Sequence, residues 1–364
     1  MFKSESSALE CALGIKKVIF YEVRNDGTSP FKMVTSLFFP LLHCLRILKI
    51  VKKNKVDVVH VHNDFPQITL WIFRFLRGQN CVRIQTLHNY RHWCINGILY
   101  RTKKGVCEQC VERKSRLSAV LYGCYRKSRF QSLLVVAAYW IQDFFKIVDE
   151  VDAFFCLSNH QKMKLIDFGV DAKKIFLKPN FIDISTVGVK KNIEIIYVGR
   201  IDESKGILKI LDALNSETKA KVVIVGHADN LVDLKLKYPE VNFLGKKSHS
   251  DTLQLIQMSR FLIHPSLCYE TFGLTILEAM AAGTPVIGFP IGTRNDFIQN
   301  GVNGFLINEC TIQMDIAAAL AYQDYSVLVS NSIQTSSHFL KKHVLRQQVM
   351  IYEELSKRSR KIML

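Results

Sequence analysis

Apolar and polar positions follow a repeated rhythm along this chain. Short runs rich in Val, Ile and Phe end in polar residues, and stretches with helical spacing separate them. The first half holds three such runs: "VDVVHVHN" (Val56–Asn63), "CVRIQTLHN" (Cys81–Asn89) and "VDAFFCLSN" (Val151–Asn159). After Pro179 the rhythm restarts with "EIIYVGR" (Glu194–Arg200), "AKVVIVG" (Ala220–Gly226), "VNFLG" (Val241–Gly245), "FLIHPS" (Phe261–Ser266) and "PVIGF" (Pro285–Phe289). Near-continuous β-branched runs between helical stretches predict buried parallel strands in doubly wound sheets. Ligands of such sheets sit at the carboxyl ends of the strands, where the His, Asn, Arg and Ser residues of these runs fall.

The polar stretch "LKPNFIDISTVGVKKN" (Leu177–Asn192) interrupts the alternation and reads as a linker between two Rossmann-like α/β domains with a cleft between them. The expected division is residues 1–180, with a cysteine-bearing insertion at about 90–130, then 181–340, then a helical tail over 341–364. The pattern over Lys32–Lys55 predicts one apolar helix ending in basic residues. It is either a core helix with lysines at the negative end of its dipole or a membrane-surface helix. No run reaches 18 apolar residues; the closest, from Ser132, is interrupted by Asp143. The first 14 residues lack the basic start and apolar centre of a secretion signal, which predicts a cytoplasmic protein.

Composition adds one asymmetry to a globular profile of 48% hydrophobic and 22% charged residues. Of the net charge of +17, residues 1–180 carry 29 Lys and Arg against 14 Asp and Glu, and residues 181–364 carry 20 against 18. A basic half beside a near-neutral half points to an anionic surface met by one half only. No aromatic-basic RNA motif is present, so nucleic acid is not the expected partner. An anionic membrane surface or simple solubility remain.

The densest chemistry lies in "HPSLCYETFGLTILEAMAAGTPVIGF" (His264–Phe289). Thr275 and Glu278 have capping-box spacing, so Glu278 is either a helix cap or a ligand group. Glu270 precedes the helix in a loop and has no such structural role. Gly273 allows close backbone approach, and the N–H groups of Gly273, Leu274 and Thr275 would offer a phosphate site at a helix start. Carboxylates accept from sugar hydroxyls, so donors beside acceptors suit a nucleotide-sugar. In "YVGRIDESKG", Arg200 and Lys205 flank a strand–helix turn, as a diphosphate site requires. Cys94, Cys107, Cys110 and Cys124 cluster in the insertion; they are structural zinc ligands, unpaired thiols or redox groups.

These segments, with "VNFLGKKS" and "NGVNGFLI" in the same order, resemble the donor-domain motifs of family 4 glycosyltransferases of the GT-B fold. "KVDVVHVHN" and "IQTLHN" resemble that family's acceptor-domain strands, so the likeness covers most of the chain. It implies a retaining transfer of a hexose-type sugar from a UDP- or GDP-sugar, with no cofactor required for catalysis. It assigns Arg200 and Lys205 to the diphosphate, Glu270 to the sugar hydroxyls, Glu278 to the ribose and Lys246 to the base. Phe272, Gly273, Leu274 and Thr275 complete the donor site, and His88 matches a histidine that acts on the donor sugar. The cysteine-bearing insertion resembles a subgroup acting in bacterial surface polysaccharide (lipopolysaccharide or capsule) assembly. That implies a polyprenyl-linked or other glycan acceptor and a peripheral location on the inner face of the plasma membrane.

One departure stands out. "SSALECALGIKKVIFYEV" resembles the family's first helix and second strand, so the first strand and its glycine loop are expected to be missing. The alternative to an active transferase is a truncated, inactive remnant that binds nucleotide-sugar without turnover. A nucleotide-sugar epimerase on the same fold is a further alternative, which the paired glutamates fit less well.

Overall fold

The computed structural model describes residues 17–24, 30–184 and 189–362. Its backbone forms two compact units. The first comprises residues 1–98, 108–179 and 342–364, and the second residues 99–107 and 180–341.

All eight runs read from the apolar pattern form strands. In the first unit, β1 (Val58–Val61), β2 (Val82–Thr86), β5 (Ala153–Cys156) and β6 (Ile175–Leu177) make a four-stranded sheet in the order β1-β2-β5-β6, parallel throughout. β5 shows why its run is continuously apolar. Phe154 and Cys156 enter one core with Ile72 and Phe73, while Ala153 and Phe155 enter another with Ile351 and Leu355. Side chains of period two thus fill both faces. The second face is covered by the long C-terminal helix Lys341–Ile362, whose Tyr352 hydroxyl meets His60 Nδ1 at 2.5 Å.

The second unit contains β7 (Ile193–Val198), β8 (Val222–Val225), β9 (Asn242–Gly245), β10 (Ser259–His264), β11 (Val286–Gly288) and β12 (Gly304–Leu306). They form a parallel sheet in the order β12-β11-β10-β7-β8-β9. The order reverses between β7 and β10, and the loops after these two strands form the site described below. Ile195, Ile224, Phe261, Ile263 and Ile287 form the centre of its core. A small antiparallel hairpin, β3 (Tyr100–Arg101) with β4 (Gly105–Val106), belongs to this unit although it arises within the cysteine-bearing insertion.

Two expectations fail. The helix predicted over Lys32–Lys55 is two helices, Pro30–Phe38 and Leu41–Asn54, because Pro40 lacks an N–H and clashes with the preceding turn. The strand expected over Val18–Val23 does not form; those residues are irregular, and β1 pairs only with β2. A strand exists only where a neighbour offers a ladder, and none lies beyond β1 among the described residues. The expected absence of a first strand and glycine loop concerns residues before 17, which lie outside the described ones.

Candidate functional site

The loops after β7 and β10 are locked together by backbone contacts. Asp202 caps the turn Glu203–Lys205, its carboxylate accepting from Lys205 N (3.2 Å) and Ser204 Oγ (2.5 Å). The Ser204 carbonyl then accepts from Leu267 N at 2.8 Å. Gly206, with φ of +73°, completes the turn so tightly that a Cβ would stand 2.0 Å from the Pro265 carbonyl oxygen. No other residue type fits there.

This docking brings Lys205 to Glu270. Lys205 Nζ donates to Glu270 Oε1 at 2.5 Å, and Ser266 Oγ donates to the same oxygen at 2.9 Å. The two charged side chains are only 24% and 18% exposed. Burial alone would raise the Glu270 pKa, but the charge of Lys205 and the hydrogen bonds from Lys205 and Ser266 hold it at about 2. Glu270 is therefore an acceptor at any physiological pH, not an acid. Both of its hydrogen bonds fall on Oε1, which leaves Oε2 to receive a ligand's hydroxyl.

Two residues the sequence reading missed stand behind this pair. Arg294 is fully buried: its Nε donates to the Phe289 carbonyl at 2.9 Å and its terminal nitrogen to the Ser266 carbonyl at 2.7 Å. It ties the loop after β11 to the loop after β10. Burial, with Arg294 and Lys205 nearby, pushes His264 down to about 3, so this histidine is neutral. Arginine in "IGTRND" gave no sign of burial, because arginine is exposed unless paired. The only available clue was the glycine turn beside it.

The helix Leu274–Ala281 begins at Gly273, which takes φ of +80° and caps it without a side-chain hydrogen bond. Glu278 is thus five positions into the helix, too far along for a capping box, and that reading fails. Glu278 is instead a largely buried carboxylate 3.7 Å from His249 Nε2, with its pKa raised by burial. The first N–H groups of the helix lack intrahelical acceptors, as at any helix start. Phe272 contributes differently from expectation. Its ring is 2% exposed and packs edge-on against Phe297 and Phe339, so only its backbone is available to a ligand. At the far end Gly283 takes φ of +67° and ends the helix.

Arg200 and Lys246 follow β7 and β9 at the same edge of the sheet, both exposed; Arg200 lies 3.5 Å from Asp202. The β3–β4 hairpin reaches the turn from another side. Tyr100, 5% exposed, donates its hydroxyl to Glu203 Oε1 at 3.0 Å, and Lys103 N donates to the same oxygen at 2.9 Å. Nothing in the local sequence announces this latch, which joins residues about 100 positions apart.

His88 stands in the first unit, after β2. Its Nε2 is 3.3 Å from His62 Nδ1, with the rings stacked. A hydrogen bond at that distance needs one nitrogen protonated and the other bare, so the pair does not carry two protons facing each other. Burial pushes neighbouring His60 well below its ordinary range, helped by His62, Lys178 and His88.

The four cysteines are not gathered. Cys94 Sγ donates to Asn96 Oδ1, Cys110 and Cys124 pack on the apolar cluster of Val135 and Tyr139, and Cys107 closes the β3–β4 hairpin. Among the described residues no three His, Cys, Asp or Glu side chains converge to hold a metal, so the structure does not assemble the expected zinc site. The thiols serve packing and local hydrogen bonding instead.

Comparison with known proteins places this geometry. Residues 10–186 match the profile described as Glycosyltransferase Family 4, and residues 181–322 match Glycosyl transferases group 1, so the two together span most of the chain. A Klebsiella pneumoniae protein described as an uncharacterized 41.2 kDa protein in the cps region is 25% identical, over 84% of this chain and 76% of its own. An Escherichia coli UDP-Gal:alpha-D-GlcNAc-diphosphoundecaprenol alpha-1,3-galactosyltransferase is 26% identical, over 80% and 73%. Among solved structures, the pneumococcal O-GlcNAc transferase GtfA, in complex with UDP and GlcNAc, shares the fold with a TM-score of 0.57 at 20% identity. That likeness covers 85% of this chain and 59% of GtfA.

Proposed function

This chain belongs to the family 4 glycosyltransferases, of the GT-B fold class, and on that premise we propose that it transfers a hexose-type sugar from a UDP- or GDP-sugar, with retention, to a lipid-linked glycan acceptor. The setting is bacterial surface polysaccharide assembly at the inner face of the plasma membrane. The Escherichia coli relative, whose name specifies a diphosphoundecaprenol acceptor, and the capsule-region relative both support that setting.

The Lys205–Glu270 pair beside the helix start at Gly273 carries this reading. Glu270 Oε2 receives donor-sugar hydroxyls, while Lys205, Arg200 and the N–H groups of Gly273, Leu274 and Thr275 bind the diphosphate. Glu278 binds the ribose and Lys246 the base. In the reaction the bond from the anomeric carbon to the phosphate oxygen breaks as the acceptor oxygen bonds to that carbon on the same face. The acceptor's proton passes to the departing phosphate, whose growing charge Lys205 and Arg200 stabilise. Glu270, ionised and already hydrogen-bonded, positions the sugar and transfers no proton.

The test incubates the chain with UDP- and GDP-hexoses and a diphosphate-linked lipid acceptor. Nucleoside diphosphate release and the anomeric configuration of the product are read by NMR. Release with retained configuration is expected; no release from any donor overturns the activity, and inverted configuration overturns the mechanism.

A further inference from the structure

The helix Arg129–Phe144 is apolar on two opposite faces, and only one of them is covered. Val135, Val136 and Tyr139 fill the core of the first unit. On the other side Phe130, Leu133, Trp140, Ile141 and Phe144 are exposed, from 39% at Ile141 to 80% at Phe144. Their spacing of three, seven, one and three places them in one stripe about 21 Å long. Large aromatic and aliphatic side chains held in water over that length are unfavourable unless something covers them.

The surroundings specify what covers them. Exposed Arg126, Lys127 and Arg129 stand at the start of the stripe, and exposed Lys146 at its end. Arg126, Lys127 and Lys146 hold φ of +51°, +56° and +50°, a region that favours glycine, yet each position carries a cation. Residues 108–146 contain seven Lys and Arg against three Asp and Glu; two of the three acids are paired, Glu108 with Lys164 and Asp143 with Arg116. In the same unit the helix Leu41–Asn54 has exposed Leu41, Leu42 and Leu45 with cations and no acid. No described helix is long and apolar enough to cross a membrane.

We propose that this stripe docks on an anionic lipid surface, with the helix lying in the plane of the headgroups and its cations paired to lipid phosphates. Apolar side chains between cations suit that interface, where acyl chains and charged headgroups meet within a few ångströms. The inference deepens the lipid-linked acceptor reading by placing the lipid contact on a particular helix. The Lys32–Lys55 segment, for which the sequence left a core helix and a membrane-surface helix open, becomes at most a flank of that contact.

Sedimentation of the full chain with vesicles tests it, using equal phosphatidylglycerol and phosphatidylcholine against phosphatidylcholine alone. Binding to the anionic vesicles is expected, weakened at least about tenfold by Phe130→Glu with Phe144→Glu. Both positions are exposed, so thermal melting should not change. Tryptophan emission should shift to the blue on binding, and Trp140→Phe should remove most of that shift. Unaltered vesicle binding by the double variant overturns the proposal. So does a wild-type dimer that the double variant converts to monomer without any vesicle binding, which gives the stripe to a second copy. Vesicle binding requires no sugar transfer, so an inactive chain that binds normally counts against the proposed activity and leaves this surface intact.

Discussion

The two units solve opposite problems. Between residues 180 and 341 every positive φ among the described residues falls on glycine, and no Phe, Trp or Tyr is among the exposed large apolar side chains. In the first unit six non-glycine residues hold positive φ, Leu99 and Lys103 being the exceptions in the hairpin of the second, and exposed aromatics are frequent. The second unit is a largely regular frame around a buried, charged network. The first keeps backbone strain, surplus positive charge and uncovered apolar surface. On the proposed function, the nucleotide-sugar meets the regular strand ends of the second unit. On the same reading, the acceptor and its surface meet the irregular structure of the first.

The contrast breaks most readily at Arg294. Replacing it with alanine strands the carbonyls of Phe289 and Ser266 in the core and should cost about 3–5 kcal/mol of stability, read by denaturant unfolding. A loss confined to a few tenths would mean the second unit is less tightly built than its contacts imply. Next is Glu270→Gln, which keeps the shape and Ser266 contact but removes the charge. It should lower the turnover number about 100-fold or more while melting shifts much less. A large melting loss with full turnover would make Glu270 a structural residue.

Acid should expose the same network. Glu270 at about 2 lies below its ordinary 4.5, so its contribution is complete above 4.5 and is lost as pH falls toward 2. His264 at about 3 lies below its ordinary 6.5, so the unfolded chain takes up that proton first and stability falls from pH 6.5 downward. Both act in the same direction. Melting temperatures from pH 7.5 to 4 should decline, and His264→Gln should flatten the decline between 6.5 and 4. A smaller effect is expected from Tyr100→Phe, which loosens the hairpin's hold on the turn before Lys205. Donor KM should rise about threefold to tenfold with little change in melting. At the bottom of the scale, chelation with EDTA should leave melting unchanged, since no three metal-binding side chains converge among the described residues.

Legibility followed the same division. The eight strands were readable because buried parallel strands need continuous β-branched runs, and "EIIYV" and "FLIH" leave little choice. Glu270 and Lys205 were readable because both sit in short motifs beside glycine turns. Helix entry at Gly273 was misread because a glycine in the left-handed region caps as well as Thr275 would, and shifts the register by two. Arg294 was invisible because its partners are carbonyls on two separate loops. The strand expected at Val18–Val23 failed for want of a neighbour, which no local pattern encodes. In the insertion, cysteine spacing suggested a metal where apolar packing had taken the thiols.

The hairpin from Tyr100 to Val106 and the tail from Lys342 onward have a practical consequence for handling the gene. The chain passes from one unit to the other at residues 98–99, 107–108, 179–180 and 341–342. A cut at residue 180 therefore yields a front piece stripped of the helix over its sheet and a back piece without the strand pair that latches Glu203. Neither fragment is a faithful half. Expressing the second unit alone calls for the hairpin to be grafted back, and family chimeras made by swapping whole halves need to carry the last helix with the front.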